Sequence, residues 1–374
     1  MIDASLPFFE DRHRETWLRV LEFVESDVRP LAPEDEREPA ASTRVYVTRL
    51  ARTGLLGHAT ANDIRSAALV RAALAHASPM ADSAFAMQGL SGIPVVLYGS
   101  AAQKRDVLHR LESGVIGAFA LTEPESGSDP ASMRLRATRD GSGWRLSGTK
   151  TFISNAGIAE IVIVFARTSD TETNAFSAFV VPGDAHGLAA KKMELVTAHP
   201  IGTLHFDGVR LEGDALLGKE GDGLRIAFAT LDRFRATVGA AACGMAWRAL
   251  GEARAHARTR HQFGHPIEKF QATQFALAEM ATSLEAAWLL VARAAFFADT
   301  NGKGLKRAAA MAKLFATDEA HAIVDRAVQI HGGKGLERGT VVERLYRDVR
   351  ALRIYEGTSE IQKLVIAREV ALGR

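Results

Sequence analysis

The spacing of apolar residues changes twice along this 374-residue chain, and this change limits the folds that the chain can adopt. Up to about residue 115, and again from Gly221, apolar residues recur at the spacing of an α-helix. Between about 116 and 218 they alternate, as in Trp144 to Asn155, and the glycines of 141–143 mark a hairpin turn. The sequence therefore predicts helices, then strands, then helices.

This order of elements predicts an α+β protein with three domains. We expect a helical N-terminal domain over residues 1–115, a central β-barrel or sandwich domain over 116–218 and a C-terminal helical bundle over 219–374. The bundle helices are predicted at Gly223 to Arg260, Ala272 to Thr300 and Leu305 to His331. Crevices between lobes of this kind commonly hold ligands.

Composition and charge exclude several classes of protein. Lys and Arg total 46 against 44 Asp and Glu, so the net charge of +2 supplies no field that would attract nucleic acid or an acidic membrane. The single Cys243 cannot form an internal disulfide, and the N-terminus lacks the pattern of a signal peptide. The apolar window from Phe275 to Ala298 contains three charged residues, which favours a buried helix over a membrane span. We therefore expect a cytoplasmic protein.

One acid near the C-terminus is a candidate catalytic base. In the stretch Arg353 to Gln362, an apolar pair precedes Glu356, Gly357 permits a sharp turn, and Thr358 offers an N-cap for a closing helix. A helix N-terminus favours the ionised carboxylate, whereas an apolar setting raises its pKa, and a base between these influences suits proton abstraction. The same residues also fit an ordinary capping turn with a solvated acid.

Two stretches in the middle of the chain could bind a planar cofactor. Phe119 to Asp129 combines hydroxyls, glycine and acids, which fits either a cofactor-binding loop or a domain linker. Gly148 to Gly157 ends a strand with Phe152 and Ser154 on one face. A ring could stack there, although an ordinary core Phe fits the same pattern.

Two further stretches lie at predicted helix ends. Arg258 to Gln271 places an Arg, a Phe and a Gln around a tight turn, where an Arg fork could hold a pyrophosphate or simply face solvent. Gln329 to Gly335 ends a helix in paired glycines, which fit either a C-cap or the close approach of a phosphate. It lacks the preceding strand of a dinucleotide-binding motif. His331 has no second ligand at suitable spacing, so no metal is expected.

In their order and combination, these five stretches resemble the acyl-CoA dehydrogenase family of flavoproteins. The motifs are Leu-Thr-Glu-Pro-x-x-Gly-Ser-Asp, Phe-Ile-Ser-Asn, Arg-x-x-Phe-Gly, Gln-Ile-His-Gly-Gly and Ile-Tyr-Glu-Gly-Thr, and the likeness spans nearly the whole chain. The resemblance implies a helical N-terminal domain, a central β domain and a C-terminal four-helix bundle. It also implies one FAD per subunit and a homo-oligomer, either a dimer or, as is usual in the family, a tetramer.

The resemblance also implies which residues contact FAD. Those matching the contacts to the isoalloxazine ring and its ribityl chain are Leu121, Thr122, Gly127, Ser128, Phe152 and Ser154. Those matching the contacts to the adenosine and pyrophosphate half, partly across a subunit interface, are Arg260, Phe263, Gln271, Gln329, Ile330, Gly332 and Gly333. Thr358 and Glu360 fall on a final flavin-contacting turn.

The implied substrate is an acyl thioester, either an acyl-CoA or an acyl group on a carrier protein. Glu356 matches the catalytic base, and Tyr355 matches the aromatic residue of the acyl pocket. Asp232 and Arg235, which share a helix face, match a pair near the pantetheine arm, and Ser128 also lies near the substrate. The implied reaction moves the α-proton to the base and the β-hydride to flavin N5. The electrons would leave through an electron-transferring flavoprotein or another acceptor.

The chain departs from the family pattern at several positions. Phe152 stands where Trp is frequent, and Glu360 stands where Gln is frequent. Phe234 occupies the position at which some relatives carry the catalytic acid, which leaves Glu356 as the sole candidate. The chain runs His58 to Asp63 where the family usually has Pro-Glu-x-x-Gly-Gly. This difference favours a specialised substrate, such as one carried by an acyl carrier protein in a biosynthetic pathway.

Two other functions of the same fold stay open from the sequence. One is a monooxygenase that uses reduced flavin and oxygen, and the presence of Glu356 argues against it. The other is a nucleic-acid-binding flavoprotein, and the net charge of +2 and the lack of a long basic extension argue against that.

Overall fold

The computed structural model describes residues 2–170 and 175–373, with helices on either side of a sheet along the chain. Its α-helices are α1 (Asp11–Phe23), α2 (Pro39–Arg52), α3 (Gly57–Thr60), α4 (Ile64–Ala77), α5 (Pro79–Tyr98), α6 (Ala101–Gln103), α7 (His109–Glu112), α8 (Gly223–Thr259), α9 (Gln271–Asp299), α10 (Leu305–His331), α11 (Val341–Leu352) and α12 (Ser359–Ala371). Its strands are β1 (Gly117–Ala120), β2 (Arg136–Asp140), β3 (Gly143–Ser154), β4 (Ile161–Arg167), β5 (Phe176–Pro182), β6 (Leu188–Met193), β7 (Ile201–Leu211), β8 (Leu216–Leu217), β9 (His261–Gln262) and β10 (His265–Pro266). The predicted α+β fold is confirmed.

The central sheet is mixed and is covered on both faces. Its described strands follow the order β6-β7-β3-β2-β4-β5-β8, and β1 pairs in parallel with β4. The predicted hairpin is the antiparallel pair β2–β3, with Asp140 opposite Gly143. One face packs around Trp144 and Phe179, and the other around Phe165. Burial on both faces explains why β4 is apolar at nearly every position instead of alternating.

Some elements differ from those predicted. The sequence pattern from Lys191 to Val196 predicts a short strand, but the strand lies at Leu188–Met193, because pairing with β7 sets its bounds. The four residues of β1 are too few to show alternation, so the sequence pattern does not reveal this strand. The apolar spacing from Ala101 to Leu111 predicts one helix, and in the structure this helix contains a π-helical segment at Lys104–Leu108. Gly92 to Pro94 predicts a bend, but Pro94 does not end α5, which continues to Tyr98.

The chain divides into two compact units. The helical unit consists of Met1–Ala32, Ile64–Asp82 and Asp232–Arg374, and the sheet unit consists of Pro33–Asp63 and Ser83–Leu231. The helical unit contains Glu356, and the sheet unit contains the predicted flavin-ring residues. The domain bounds 1–115, 116–218 and 219–374 stay predictions.

Small residues allow close helix packing in the helical unit. A Cβ built on Gly244 of α8 would lie 2.2 Å from the Ala72 carbonyl oxygen of α4. A Cβ on Gly239 would lie 2.8 Å from a methyl group of Val291 on α9. Cys243 is buried with a free thiol, as small-residue packing predicts. Helix α8 therefore lies in direct contact with both α4 and α9.

Helix α9 has more apolar side chains than the rest of its unit covers. Leu284 and Trp288 are buried, whereas Phe275 is 57% exposed and Leu289 is 41% exposed. By length and composition alone α9 could cross a membrane, and 33% of its most apolar window is buried. That is weak evidence for a span, because core helices meet the same criteria. The helix predicted to be buried is thus covered on one face only.

Candidate active site

Glu356 lies in a tight turn between α11 and α12. Its φ is 52°, a left-handed conformation that is uncommon for a residue with a Cβ, and Gly357 follows with a φ of 92°. The hydroxyl of Thr358 accepts a hydrogen bond from the Ile361 N–H at 3.4 Å and so caps α12. The predicted turn and cap are confirmed. The sequence did not predict the left-handed backbone of Glu356 itself. Backbone strain of this kind is often found at functional sites.

The carboxyl group of Glu356 combines burial with nearby positive charge. The residue as a whole is half-buried, but its Oε2 atom is fully covered and accepts no hydrogen bond from the described residues. Burial raises the pKa of Glu356, and the positive charges of Arg71, Lys313 and Arg235 oppose that rise. The sequence predicted that a helix N-terminus would favour the ionised carboxylate. In the structure these three cations favour it.

Three side chains hold the carbonyl groups of this turn. Lys313 on α10 donates from Nζ to the Gly357 carbonyl oxygen at 2.7 Å, and Gln362 donates from Nε2 to the same oxygen at 2.8 Å. Arg235 donates from Nε to the Glu356 carbonyl oxygen at 3.4 Å. Lys313 is fully buried, and this burial lowers its pKa to about 8. The turn is therefore anchored from α8, α10 and α12.

The pair predicted to lie near the pantetheine arm is an ion pair. Arg235 Nη1 lies 2.5 Å from Asp232 Oδ1, and burial raises the pKa of Asp232. Arg235 is also buried against the turn that carries Glu356. That second contact joins residues 121 positions apart, which no local pattern could indicate. The substrate role of the pair stays a prediction.

A buried polar cluster, here called the Arg71 cluster, consists of Arg71, Asp82 and Thr237. Arg71 Nε and Nη2 donate to the two carboxylate oxygens of Asp82 at 2.7 and 2.9 Å, and Nη1 donates to Thr237 Oγ1 at 2.9 Å. Arg71 also interacts electrostatically with Tyr355 and Glu356. The Arg71 cluster therefore lies in the surroundings of the candidate base, although sequence reasoning missed it.

Two predicted neighbours of the base have contrasting environments. Tyr355 is 39% exposed as a residue, yet burial around its hydroxyl raises the pKa of that group. Phe234 is fully buried. It therefore leaves no ionisable group at the position where some relatives carry an acid.

In the sheet unit, a buried lysine side chain anchors the predicted flavin loop from Leu121 to Ser128. Lys150 on β3 donates from Nζ to the Leu121 carbonyl oxygen and to Glu123 Oε1, both at 2.9 Å. Both charged side chains are buried. Gly127 and Ser128 are exposed at the other end of the loop. The loop therefore has a fixed base and an accessible tip, as a ligand-binding loop requires.

The predicted ring-stacking residue Phe152 is exposed. It lies where the register between β3 and β7 shifts, with a φ of 54°, and it is 55% exposed. A core Phe would be covered, so this exposure favours the stacking interpretation. The loop is tied to the same strand, because the Thr151 N–H donates to the Thr122 carbonyl oxygen at 2.9 Å.

Ser154 belongs to a short series of hydrogen-bonded side chains that the sequence did not reveal. Its hydroxyl lies 2.7 Å from His199 Nε2, and His199 Nδ1 lies 3.2 Å from the Ser83 hydroxyl. Burial lowers the pKa of His199 to about 4, so the imidazole is neutral at pH 7. His199 therefore orients the Ser154 hydroxyl.

The residues predicted for the adenosine half lie at neighbouring helix ends in the helical unit. The rings of His256 on α8 and His331 on α10 stack at 4.3 Å, which brings together the two stretches that follow these helices. The exposed members of the predicted set are Arg260, Phe263, Gln271, Gln329, Gly332 and Gly333, and Ile330 is half-buried. Phe263 is 91% exposed, so its ring is free to pack against a ligand or a second subunit. Glu360 is exposed and Thr358 half-buried on the turn beside Glu356. All of these contacts stay predictions.

Three family models match consecutive parts of the chain. They are the acyl-CoA dehydrogenase N-terminal domain over residues 10–115, the middle domain over 118–209 and the C-terminal domain over 221–371. Together they cover most of the sequence.

Known proteins agree with this match. The chain is 39% identical over 362 residues to the mitochondrial short-chain specific acyl-CoA dehydrogenase of Bos taurus, covering 92% of this chain and 87% of that protein. A glutaryl-CoA dehydrogenase from Mycobacterium smegmatis in complex with FADH2 superposes with a TM-score of 0.89 at 30% identity, covering 99% and 97% of the two chains. The prolyl acyl carrier protein oxidase AnaB superposes with a TM-score of 0.91 at 26% identity, covering 97% and 99%. The chain therefore belongs to the acyl-CoA dehydrogenase family and is an oxidoreductase that acts on CH–CH groups.

Proposed function

We propose that this protein is an FAD-dependent dehydrogenase of an acyl thioester, with Glu356 as the base that removes the α-proton. The environment of the Glu356 carboxyl group carries the proposal. Its Oε2 atom is buried without a partner among the described residues, and three cations act on it. A buried carboxylate with an unused oxygen is costly to a fold, so a use in proton transfer accounts for it.

The balance of charges suits proton abstraction near neutral pH. Burial favours the protonated carboxyl group and raises its pKa, whereas Arg71, Lys313 and Arg235 favour the ionised form. A base whose pKa is raised towards the working pH accepts a proton more readily than an ordinary carboxylate. The donors on the two carbonyl groups of the turn keep the carboxylate in place during the transfer.

The backbone at the base suits a second role. Among residues 2–170 and 175–373, no group accepts a hydrogen bond from the Glu356 N–H. This N–H is therefore available to a thioester carbonyl oxygen. A donor aimed at that oxygen stabilises the negative charge that develops when the α-proton leaves. The left-handed turn thus presents both the base and an oxyanion donor from one residue.

The residues present fit FAD. Phe152 offers an exposed ring, and the tip of the loop at Gly127 leaves open space where a Cβ would stand. In this proposal Leu121, Thr122, Gly127, Ser128, Phe152 and Ser154 hold the ring and ribityl chain, and Arg260, Phe263, Gln271, Gln329, Ile330, Gly332 and Gly333 hold the adenosine half. FAD, when bound, supplies the acceptor for the β-hydride.

Anaerobic reduction of the bound flavin tests the role of Glu356. The purified protein should be yellow and should bleach when mixed with a suitable acyl thioester in the absence of oxygen. Glu356→Gln keeps the shape of the side chain but cannot take the proton, so the rate of bleaching should fall by about 10²-fold or more. Glu337→Gln, which changes an exposed acid of the same unit, is the control and should bleach at the wild-type rate. If the flavin of Glu356→Gln bleaches at the wild-type rate, Glu356 is not the base.

A carrier-protein thioester is the second candidate substrate. The similarity to a prolyl acyl carrier protein oxidase and the segment His58 to Asp63 both favour it. The same acyl group should therefore be offered on CoA and on a carrier protein, with the rate of flavin reduction as the readout. Faster reduction by the carrier-protein thioester would select this alternative, and faster reduction by the CoA thioester would reject it.

We also propose a homo-oligomer, dimer or tetramer, in the cytoplasm, that passes electrons to an electron-transferring flavoprotein or another acceptor. The exposed apolar side chains along α9 support the oligomer, because an apolar helix face that its own unit leaves open is typical of an interface, and the exposed Phe263 agrees with it. The family to which the chain belongs supports the electron acceptor. Reoxidation of the reduced protein by a purified electron-transferring flavoprotein, followed by absorbance, tests that step.

A further inference from the structure

His199 has an imidazole group that the proton transfer proposed for Glu356 does not use. In the sheet unit it lies between the hydroxyl groups of Ser83 on α5 and Ser154 on β3. Its Nδ1 atom lies 3.2 Å from Ser83 Oγ, and its Nε2 atom lies 2.7 Å from Ser154 Oγ. One histidine therefore joins a helix of this unit to the strand that carries predicted flavin-ring residues.

Strand pairing fixes the place of His199 beside Ser154. Ser154 is paired with Ile201 of β7, and the Asn155 N–H donates to the Pro200 carbonyl oxygen at 2.6 Å. His199 comes directly before these two paired residues in the chain. The backbone therefore brings its side chain to the end of β3.

The Ser154 side chain lies on the side of β3 that the core leaves uncovered. Ile153 is buried in the core of the sheet, whereas Phe152 before it is 55% exposed and Ser154 after it is half-buried. In the proposed function this is the side on which Phe152 meets the flavin ring. The hydroxyl group of Ser154 is therefore placed to act on the same ligand.

The direction of the hydrogen bonds follows from the protons that are present. Burial lowers the pKa of His199 to about 4, so at pH 7 its ring has one N–H donor and one acceptor nitrogen. If the Ser83 hydroxyl donates to Nδ1, the N–H is on Nε2 and donates to Ser154. The opposite tautomer leaves the Ser83 proton without an acceptor in the described part of the chain, which is unfavourable.

This direction leaves the proton of the Ser154 hydroxyl unused. Its oxygen accepts from His199, and no residue in the described ranges accepts from its O–H. An acceptor atom on a bound molecule would complete the series. The oxidised flavin ring offers such acceptors, and the ring becomes richer in electrons on reduction. A donor aimed at the ring therefore stabilises reduced flavin more than oxidised flavin.

We propose, on the basis of the FAD-dependent function above, that Ser83 and His199 hold Ser154 as a hydrogen-bond donor to the flavin ring and so raise the reduction potential of bound FAD. His199 is a positioning residue, because it acts on the flavin through Ser154. The flavin then accepts electrons from the substrate more readily. The same three residues therefore favour dehydrogenation over the reverse reaction.

The midpoint potential of the bound FAD tests this proposal without any substrate. It is measured by stepwise anaerobic reduction beside a reference dye of known potential. In His199→Leu, reduced FAD should lose about tenfold in affinity relative to oxidised FAD, which is a shift of about 30 mV to more negative potential for two electrons. His199→Gln keeps an N–H donor on its side chain and should recover part of that shift.

Ser154→Ala separates positioning from a general effect on the fold. It removes the donor itself, so its potential should fall at least as far as that of His199→Leu. The double variant Ser154→Ala/His199→Leu should have the same potential as Ser154→Ala, because His199 acts only through the hydroxyl group. Ser83→Ala leaves His199 free to adopt either tautomer and should give a smaller shift in the same direction.

His205→Gln is the matched control. His205 on β7 lies 3.3 Å from the hydroxyl group of Thr149 on β3, so it forms a second histidine–hydroxyl pair between the same strands. Both of these residues lie outside the predicted flavin site, and His205 is exposed. The potential of this variant should equal that of wild type.

Three results would each overturn the proposal. They are the wild-type potential in His199→Leu, a shift to more positive potential, and a further shift when His199→Leu is added to Ser154→Ala. If His199→Leu does not fold, Ser83→Ala decides, and the wild-type potential there has the same meaning. A thioester that still bleaches the flavin in those cases leaves the proposed function standing. A purified protein that binds no FAD would contradict the proposed function and this proposal together.

Discussion

Glu356 shows how a single residue can be held in a state that the fold alone would not favour. Its carboxyl group is buried, its backbone is left-handed, and Lys313, Gln362 and Arg235 hold the carbonyl groups around it. Sequence reasoning could find the acid, the glycine and the cap, because these are local. It could not find Lys313 or Arg71, because contacts between residues far apart in the chain leave no local pattern.

The stability of Glu356→Gln should exceed that of wild type near neutral pH. Burial raises the pKa of Glu356, so the folded state holds the carboxyl proton more tightly than the unfolded state does. Above the ordinary pKa of Glu, the ionised side chain therefore costs the wild-type protein stability that the neutral amide does not. The difference in Tm should be largest at pH 7–8 and should shrink as pH falls below about 4, where both states are protonated. A Tm difference that grows on acidification would contradict the direction of this pKa shift.

Lys313→Met should move the acid limb of the pH–rate profile to higher pH. The Lys313 ammonium lowers the pKa of Glu356, so its loss raises that pKa, and the base ionises only at higher pH. Because the pKa of Lys313 itself is about 8, the rate difference should be greatest below pH 8. Flavin reduction rates measured from pH 6 to 9 give the profile. Lys306→Met, which removes a more exposed lysine of α10, should leave the profile unchanged.

At the scale of elements, sequence periodicity predicted the long helices well. Helix α10 has the predicted bounds, and α8 ends one residue before the predicted Arg260, because many turns of apolar spacing give a strong signal. Strand β1 and the shifted β6 depend on pairing with neighbours, which a single strand does not encode. For the candidate site, the composition of the loop near Ser128 fitted either a cofactor-binding loop or a linker, and only the resemblance to the family favoured the first. Its attachment to β3 through Lys150 was not predictable.

Lys150→Met should loosen the predicted flavin loop. It leaves Glu123 buried without its positive partner, which typically costs about 3–5 kcal/mol of folding free energy. The loop also loses its contact at the Leu121 carbonyl oxygen, so the affinity for FAD should fall. Thermal unfolding and FAD titration of the apoprotein measure the two effects.

Two further variants make that experiment decisive. Lys150→Met/Glu123→Gln removes the unpaired charge and should regain part of the lost stability while FAD affinity stays low. Arg136→Met removes an exposed partner of Asp170 in the same unit and should change neither quantity appreciably. Unaltered FAD affinity in both Lys150 variants would show that the loop does not need this anchor.

At the scale of the whole molecule, the uncovered face of α9 is the feature that a single chain does not explain. A helix whose apolar window is only 33% buried needs a cover, and a second copy of the chain is the proposed one. Composition predicted an apolar helix, but it could not say which face the rest of the chain would leave open.

Phe275→Glu/Leu289→Glu should therefore dissociate the protein. Two carboxylates on the exposed face of α9 would have to be buried in an interface between copies, at a cost that a stable oligomer does not tolerate. Sedimentation or light scattering should show a wild-type oligomer and a smaller variant with unchanged helical content. If the wild-type protein is a monomer at micromolar concentration, a second copy of the chain does not cover the exposed face of α9.

The left-handed backbone at residue 356 also bears on how this chain can change under mutation and selection. Gly or Asn adopts this conformation more easily than Glu, and neither would place a charge in the interior. The fold should therefore accept Gly or Asn at this position more readily than Glu. A glutamate there carries a cost in backbone conformation and in buried charge, and its proposed role as the base accounts for that cost.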